Sequence, residues 1–150
     1  MDWVLLTSET LDVGSLIQWA TDATTGAIST FSGTTRDNFD GKQVVKLAYE
    51  AYEPMAVSKM RQLCQEVRSK WDVHKVGVHH RVGEVPVLQT SVVIVVSSAH
   101  RREALEGVAY AIDWLKAEVP IWKKEHYDDG SEWKANKEFD RAFQPSDRLN

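Results

Sequence analysis

Ser91-Val92-Val93-Ile94-Val95-Val96-Ser97-Ser98, followed directly by Ala99-His100-Arg101-Arg102, is the stretch that decides the fold. Its five aliphatic residues run without polar alternation, so the strand they form is buried on both faces and belongs in the middle of a sheet. Downstream, Ser97, Ser98 or His100 opens a helix that runs to about Glu118, and Pro120 stops it. Ile121 to Tyr127 reads as a further strand and Asp128-Asp129-Gly130 as a turn. Upstream, Val73 to Val82 reads as a strand with Val76, Val78, His80 and Val82 on one face. Before it, Pro54 suits a first helical turn, and Ala56, Met60, Leu63, Val67 and Trp71 recur at helical spacing.

The N-terminal third continues the alternation. Trp3 to Leu6 is a short strand, Asp12 caps a helix to about Asp22, and Gly26 to Phe31 is a second strand. Ser32 to Gly41 is polar and bounded by glycine, hence a loop, and Val44 to Tyr52 alternates as a strand. The order β-α-β-β-α-β-β-α-β, with several hairpin-like neighbours, implies an α+β sandwich of helices on a mixed or antiparallel sheet. A ferredoxin-like layout is one way to satisfy it. The chain of 150 residues suits one domain over 1–150, with a polar tail from Ala135 that is partly helical or loose and flexible from about residue 140.

Composition narrows the function. Hydrophobic residues at 43% and charged residues at 27% fit a soluble globular protein and exclude disordered and collagen-like classes. No apolar run approaches the ~20 residues of a membrane helix, and Met1-Asp2-Trp3 opens no signal-peptide pattern. A single cysteine excludes a disulfide framework, so the cytoplasm is the expected compartment. Net charge of −4 argues against a general nucleic-acid binder; an anion site has to be a local cation cluster.

Neither nucleotide-binding glycine loop is present, nor is H-E-x-x-H, and the five histidines lack metal-ligand spacing. No metal or cofactor is expected. Cys64 reads as a small core hydrophobe. Lys116 is more informative. On the last long helix, Leu105, Val108, Ala109, Ile112, Leu115 and Val119 define an apolar face, and Lys116 falls near its middle. An ammonium there finds a partner, sheds its proton to become a nucleophile or base, or bends into solvent from the final turn. In Lys123-Lys124, an extended chain sends the two side chains opposite ways: one joins Lys116, and the other is solvated. His100-Arg101-Arg102 at a helix start is unfavourable unless an anion binds, although Arg102 can pair with Glu103 or Glu106. Arg36 lies in the loop after a strand, where function often resides; it can also pair with Asp37 or Asp40. His80 shares a face with valines and reads as a satisfied core histidine. Together Arg36, His100, Arg101, Lys116 and Lys123 suit an anionic small molecule or a carboxylate from a partner chain.

These pieces resemble the large, catalytic subunit of molybdopterin synthase. The resemblance rests on Phe31-Ser32-Gly33-Thr34-Thr35-Arg36, Leu47-Ala48-Tyr49-Glu50-Ala51-Tyr52, His80-Arg81-Val82-Gly83, Ser97-Ser98-Ala99-His100-Arg101, Leu115-Lys116, and Pro120-Ile121-Trp122-Lys123-Lys124-Glu125 with Trp133. It implies an α/β hammerhead with a small antiparallel subdomain. It implies a sulfurtransferase of molybdenum cofactor biosynthesis that converts cyclic pyranopterin monophosphate to the molybdopterin dithiolene. The sulfur arrives as the C-terminal glycine thiocarboxylate of a small ubiquitin-like subunit, in a heterotetramer built on a large-subunit homodimer. By the same resemblance Lys116 and Lys123 are the catalytic lysines. Arg36, His100 and Arg101 hold the phosphate and pterin, and Lys137 matches a basic residue contributed across the dimer. Leu88-Gln89 departs from the family's usual Gly-Glu and implies a differently shaped turn. The competing reading is a non-catalytic ferredoxin-like module that binds an anionic metabolite.

Overall fold

A computed structural model describes residues 1–135. The run that opens the argument forms β7 (Thr90–Ser98), which lies inside a four-stranded sheet of order β1 (Asp2–Thr7), β5 (Lys75–Arg81), β7, β2 (Ala27–Thr34). β1 pairs parallel with β5, and the other two pairings are antiparallel, so the sheet is mixed. Alternate residues of β7 serve two cores. Val92, Ile94 and Val96 face α2 (Glu53–Lys70) and α3 (Arg101–Glu118), while Val93 and Val95 face α1 (Val13–Ala20). Burial on both faces is thus what the unbroken apolar run encodes.

A second sheet has five strands. β3 (Asn38–Phe39), β4 (Lys42–Ala51), β8 (Ile121–Tyr127) and β9 (Glu132–Ala135) follow in that order, and β6 (Gly83–Pro86) also pairs with β4. The α+β reading holds. Three short strands, β3, β6 and β9, escape the sequence because two to four residues carry too little periodicity to separate from a loop. The predicted Ser32–Gly41 loop is corrected accordingly. β2 runs on to Thr34, and Asn38–Phe39 forms a hairpin with β4. Gly33 keeps the strand going because a Cβ there would meet Val92 Cγ1 at 2.8 Å.

The local signals act as expected elsewhere. Asp12 caps α1 by accepting from Ser15 N at 3.1 Å, and Pro54 stands in the first turn of α2. Cys64 is fully buried, and burial pushes its thiol up to about 12, which removes it from nucleophilic chemistry near neutrality. The expected extent of the tail from residue 136 and the position of Lys137 lie outside the described residues.

The turn at Leu88-Gln89 shows what the departure from Gly-Glu does. Leu88 has φ 77° and is 87% exposed, so a γ-branched side chain occupies the left-handed region and faces water. Replacing Leu88 by glycine is expected to relieve about 1 kcal/mol of backbone strain, partly offset by the unfolded-chain entropy of glycine. A higher urea midpoint for L88G checks this; a lower one would show that Leu88 makes a compensating contact.

Candidate active site

The cations singled out in the sequence fall into two groups at opposite ends of β7. At the Ser98 end, β7 turns into α3 through Ala99 and His100. Gly26 N donates to Ser98 O at 3.1 Å and to Ala99 O at 3.2 Å, and Ser98 Oγ donates to His100 O. Gly26 has to be glycine here, since a Cβ would stand 2.6 Å from the Ala99 carbonyl oxygen. This lock presents His100 as the N-cap and Arg101 as the first residue of α3, both exposed. His100 makes no side-chain cap bond, so the helix start keeps unused N–H groups beside an imidazole and the Arg101 guanidinium. Arg102 is different: it pairs with Glu106 at 3.3 Å on the surface.

Arg36 lies at the other end. β2 runs antiparallel to β7 with Ala27 opposite Ser98 and Thr34 opposite Thr90, so roughly 23 Å of strand separates its two ends. Thr35 fixes where Arg36 leaves the sheet. Its N–H donates to Gln89 O at 3.0 Å, its hydroxyl to Val85 O at 3.2 Å, and its carbonyl accepts from Leu88 N at 3.0 Å. Arg36 itself is exposed.

The lysines belong to this second end. α3 packs back across β7 and β2, spanning ~27 Å over its 18 residues, and so carries Lys116 to the Thr90 side. Its buried face is Ala104, Gly107, Val108, Ala111 and Leu115, and Lys116 is exposed. Of the alternatives open to Lys116, it takes the one that bends into solvent; what is corrected is the apolar face, which does not run through Leu105 and Ile112. Small residues, not large ones, mark the contact: a Cβ on Gly107 would already meet Val67 Cγ1 at 3.3 Å, so the helix sits too close for leucine. Leu105, at 56% exposure, and half-buried Ile112 flank that face on the Lys116 side.

Lys123 and Lys124 do face opposite ways. Lys124 pairs with Glu132 at 2.7 Å. Lys123 shares the inner face of β8 with Ile121, Glu125 and Tyr127, and its side chain is 18% exposed. Across the strands it stands opposite Tyr49, whose hydroxyl donates to Ser91 Oγ at 3.4 Å; Ser91 in turn donates to Gly33 O at 3.3 Å. That chain of contacts ties Lys123 to the end of β2 from which Arg36 projects. Glu125, which the sequence reading quoted without a role, is 4% exposed, with Oε1 4.0 Å from Lys123 Nζ. The available signal was the i, i+2 alternation behind Ile121.

Among the described residues, Arg36, His100, Arg101 and Lys116 form no ion pair, while the lysines at 42, 46 and 124 all do. The expected pairing of Arg36 with Asp37 or Asp40 is absent among these residues. His80 fits its expected role, buried with Nδ1 2.8 Å from Arg81 O. A groove of about 950 Å³ runs along the outer side of α2 from Glu53 to Ser69. One helix builds it and none of these cations lines it, so it is no candidate for the chemistry. Among the described residues no helix is long and apolar enough to cross a membrane.

Comparison with known proteins places the chain in a family. Residues 6–118 match the family model described as MoaE protein. The chain is 56% identical over 142 residues to molybdopterin synthase catalytic subunit 1 of Aedes aegypti, covering 92% of each. It is 53% identical over 137 residues to the molybdopterin synthase catalytic subunit of Homo sapiens, covering 91% of this chain and 73% of that one. Among solved structures, molybdopterin synthase from Staphylococcus aureus superposes with a TM-score of 0.83 at 32% identity, covering 87% of this chain and 95% of the other. The chain shares its fold with these proteins and is a member of the MoaE family.

Proposed function

We propose that this chain is the catalytic subunit of a molybdopterin synthase, in the cytoplasm. It transfers sulfur from the C-terminal thiocarboxylate of a small ubiquitin-like subunit to cyclic pyranopterin monophosphate, giving the molybdopterin dithiolene. The observation that carries the reading is a set of exposed basic side chains on an acidic protein, Arg36, His100, Arg101 and Lys116, that form no ion pair among the described residues. Basic and open to solvent, they suit the anions of this reaction, a cyclic phosphate and a thiocarboxylate.

Lys116 and Lys123 take the incoming thiocarboxylate. Lys116 reaches from solvent, where a partner's tail can arrive, and Lys123 sits half-buried on β8. The two ammonium groups hold the thiocarboxylate while its sulfur attacks the pterin and an oxygen substituent leaves. Water then cleaves the acyl carbon–sulfur bond of the thioester so formed, freeing the small subunit's C-terminal carboxylate. The ammonium groups stabilise the oxyanion of that second step. Arg36, His100 and Arg101 hold the phosphate and pterin. Within one chain Arg36 and the His100–Arg101 pair are too far apart to grip one small molecule. A homodimer that sets the Ser98 end of one chain against the Thr90 end of its partner brings them together, inside a heterotetramer with two small subunits.

The test is reconstituted turnover. The native chain is mixed with thiocarboxylated small subunit and cyclic pyranopterin monophosphate, and the dithiolene product is read by mass spectrometry beside Lys116→Ala and Lys116→Arg. Product from the native chain and from neither variant is expected. Full function in K116R would favour a module that needs only charge at this position. No product from a folded native chain bound to the small subunit would overturn the enzyme reading.

A further inference from the structure

We infer that Tyr127 is a positioning residue for Lys123, acting through Glu125. The three side chains follow one another on the inner face of β8 at i, i+2 and i+4. The Glu125 carboxylate is almost fully buried and its two oxygens are divided: Oε2 accepts from the Tyr127 hydroxyl at 2.7 Å, and Oε1 lies 4.0 Å from Lys123 Nζ. A buried carboxylate with one free oxygen rotates toward whatever cation or water will solvate it. The phenol removes that freedom, so the oxygen that remains is held toward Lys123. Tyr127 is itself held, being 8% exposed under the Lys42 ammonium, which sits 5.0 Å above its ring while also pairing with Asp129 at 3.8 Å. Burial and the neighbouring Glu125 push the Tyr127 hydroxyl up to about 12, so it remains a proton donor throughout the range in which the protein works.

The inference rests on Lys123 serving the site proposed above, and its test separates the two. Tyr127→Phe keeps the ring and removes the donor. In wild-type complex and Y127F complex, kcat and KM for cyclic pyranopterin monophosphate are measured, together with the same substitution in a Glu125→Gln background. Independently of turnover, the Lys123 side-chain resonance is followed by NMR in chain labelled with [13Cε]-lysine and assigned with Lys123→Arg. Expected results are a fall in kcat of about tenfold with KM little changed, no further fall when Y127F is added to E125Q, and a displaced or broadened Lys123 signal in Y127F. Unchanged kcat and an unmoved Lys123 signal in Y127F overturn the inference, as does an equal loss in the presence and absence of the Glu125 carboxylate. A Lys123 signal that moves in Y127F, with a wild-type complex that makes no product, would uphold the contact and overturn the reading of the site.

Discussion

Chains carrying Arg36→Ala and chains carrying Arg101→Ala are each expected to lose turnover by about two orders of magnitude, the scale of a charge-assisted contact left unmade. An equimolar mixture of the two, allowed to exchange subunits, is expected to recover about a quarter of wild-type activity. The reasoning follows from β2 and β7. Thr34 stands opposite Thr90 and Ala27 opposite Ser98, so Arg36 and Arg101 leave the same pair of strands at opposite ends. If both serve one anion, they come from two chains. Each mutant homodimer then has two defective sites. A mixed dimer has one site with both substitutions and one with neither, and random pairing makes half the dimers mixed. Native mass spectrometry verifies that mixed dimers are present. A mixture no more active than its components would place both arginines in the same chain's site. Full activity of the Arg101→Ala homodimer would place Arg101 outside the site.

How much of this was legible in sequence differs by residue, and the differences have causes. The β7 run and the α3 boundaries read directly, because an unbroken apolar stretch ending in a short turn and a helix ended by Pro120 are strong local signals. The apolar face of α3 differs from the expected one for a reason specific to close packing, although the solvent-facing alternative for Lys116 holds. The apolar arc was drawn through Leu105 and Ile112, but helices approach most closely along small residues, and here Ala104, Gly107 and Ala111 make the contact. Its identity as a site residue came from Leu115-Lys116 followed by Pro-x-Trp-Lys-Lys-Glu, not from its burial. The partition of the cations between two ends was beyond periodicity altogether. Antiparallel register decides it, and register is a property of pairing rather than of either strand alone. Glu125 is visible in the sequence only as a letter in a motif and Tyr127 only as the end of a strand; their roles appear once the inner face of β8 is known.

The second large effect concerns stability in acid, and it turns on a histidine adjacent to the one that the sequence reading weighed. His79 is 4% exposed on the α1 side of the sheet, with its ring 4.5 Å from that of Trp3 in an edge contact. Leu5 and Val93 stand beside it on the neighbouring strands, and its Nε2 has no hydrogen-bond partner among the described residues. Burial without a compensating anion lowers it from 6.5 to about 4. Because the folded value is the lower one, the unfolded chain binds the proton first. Stability is therefore full above about pH 6.5 and is lost as pH falls toward 4, by on the order of 3 kcal/mol in total. Exposed carboxylates such as Asp12, Glu84 and Glu132, held low chiefly by side-chain hydrogen bonds from Ser15, Lys46 and Lys124, also weaken the fold in acid. A comparison that leaves them unchanged isolates His79. His79→Leu is of similar volume and has no polar atom to desolvate, so near pH 7 it is expected to match or exceed the wild type. Between pH 7 and pH 4.5 the wild type should lose about 2–3 kcal/mol more than the variant, read from urea unfolding at each pH. Parallel losses in the two chains would mean that His79 finds a partner for its proton in the folded state, and the valine-lined layer beneath α1 would then have to be more open to water than its burial implies.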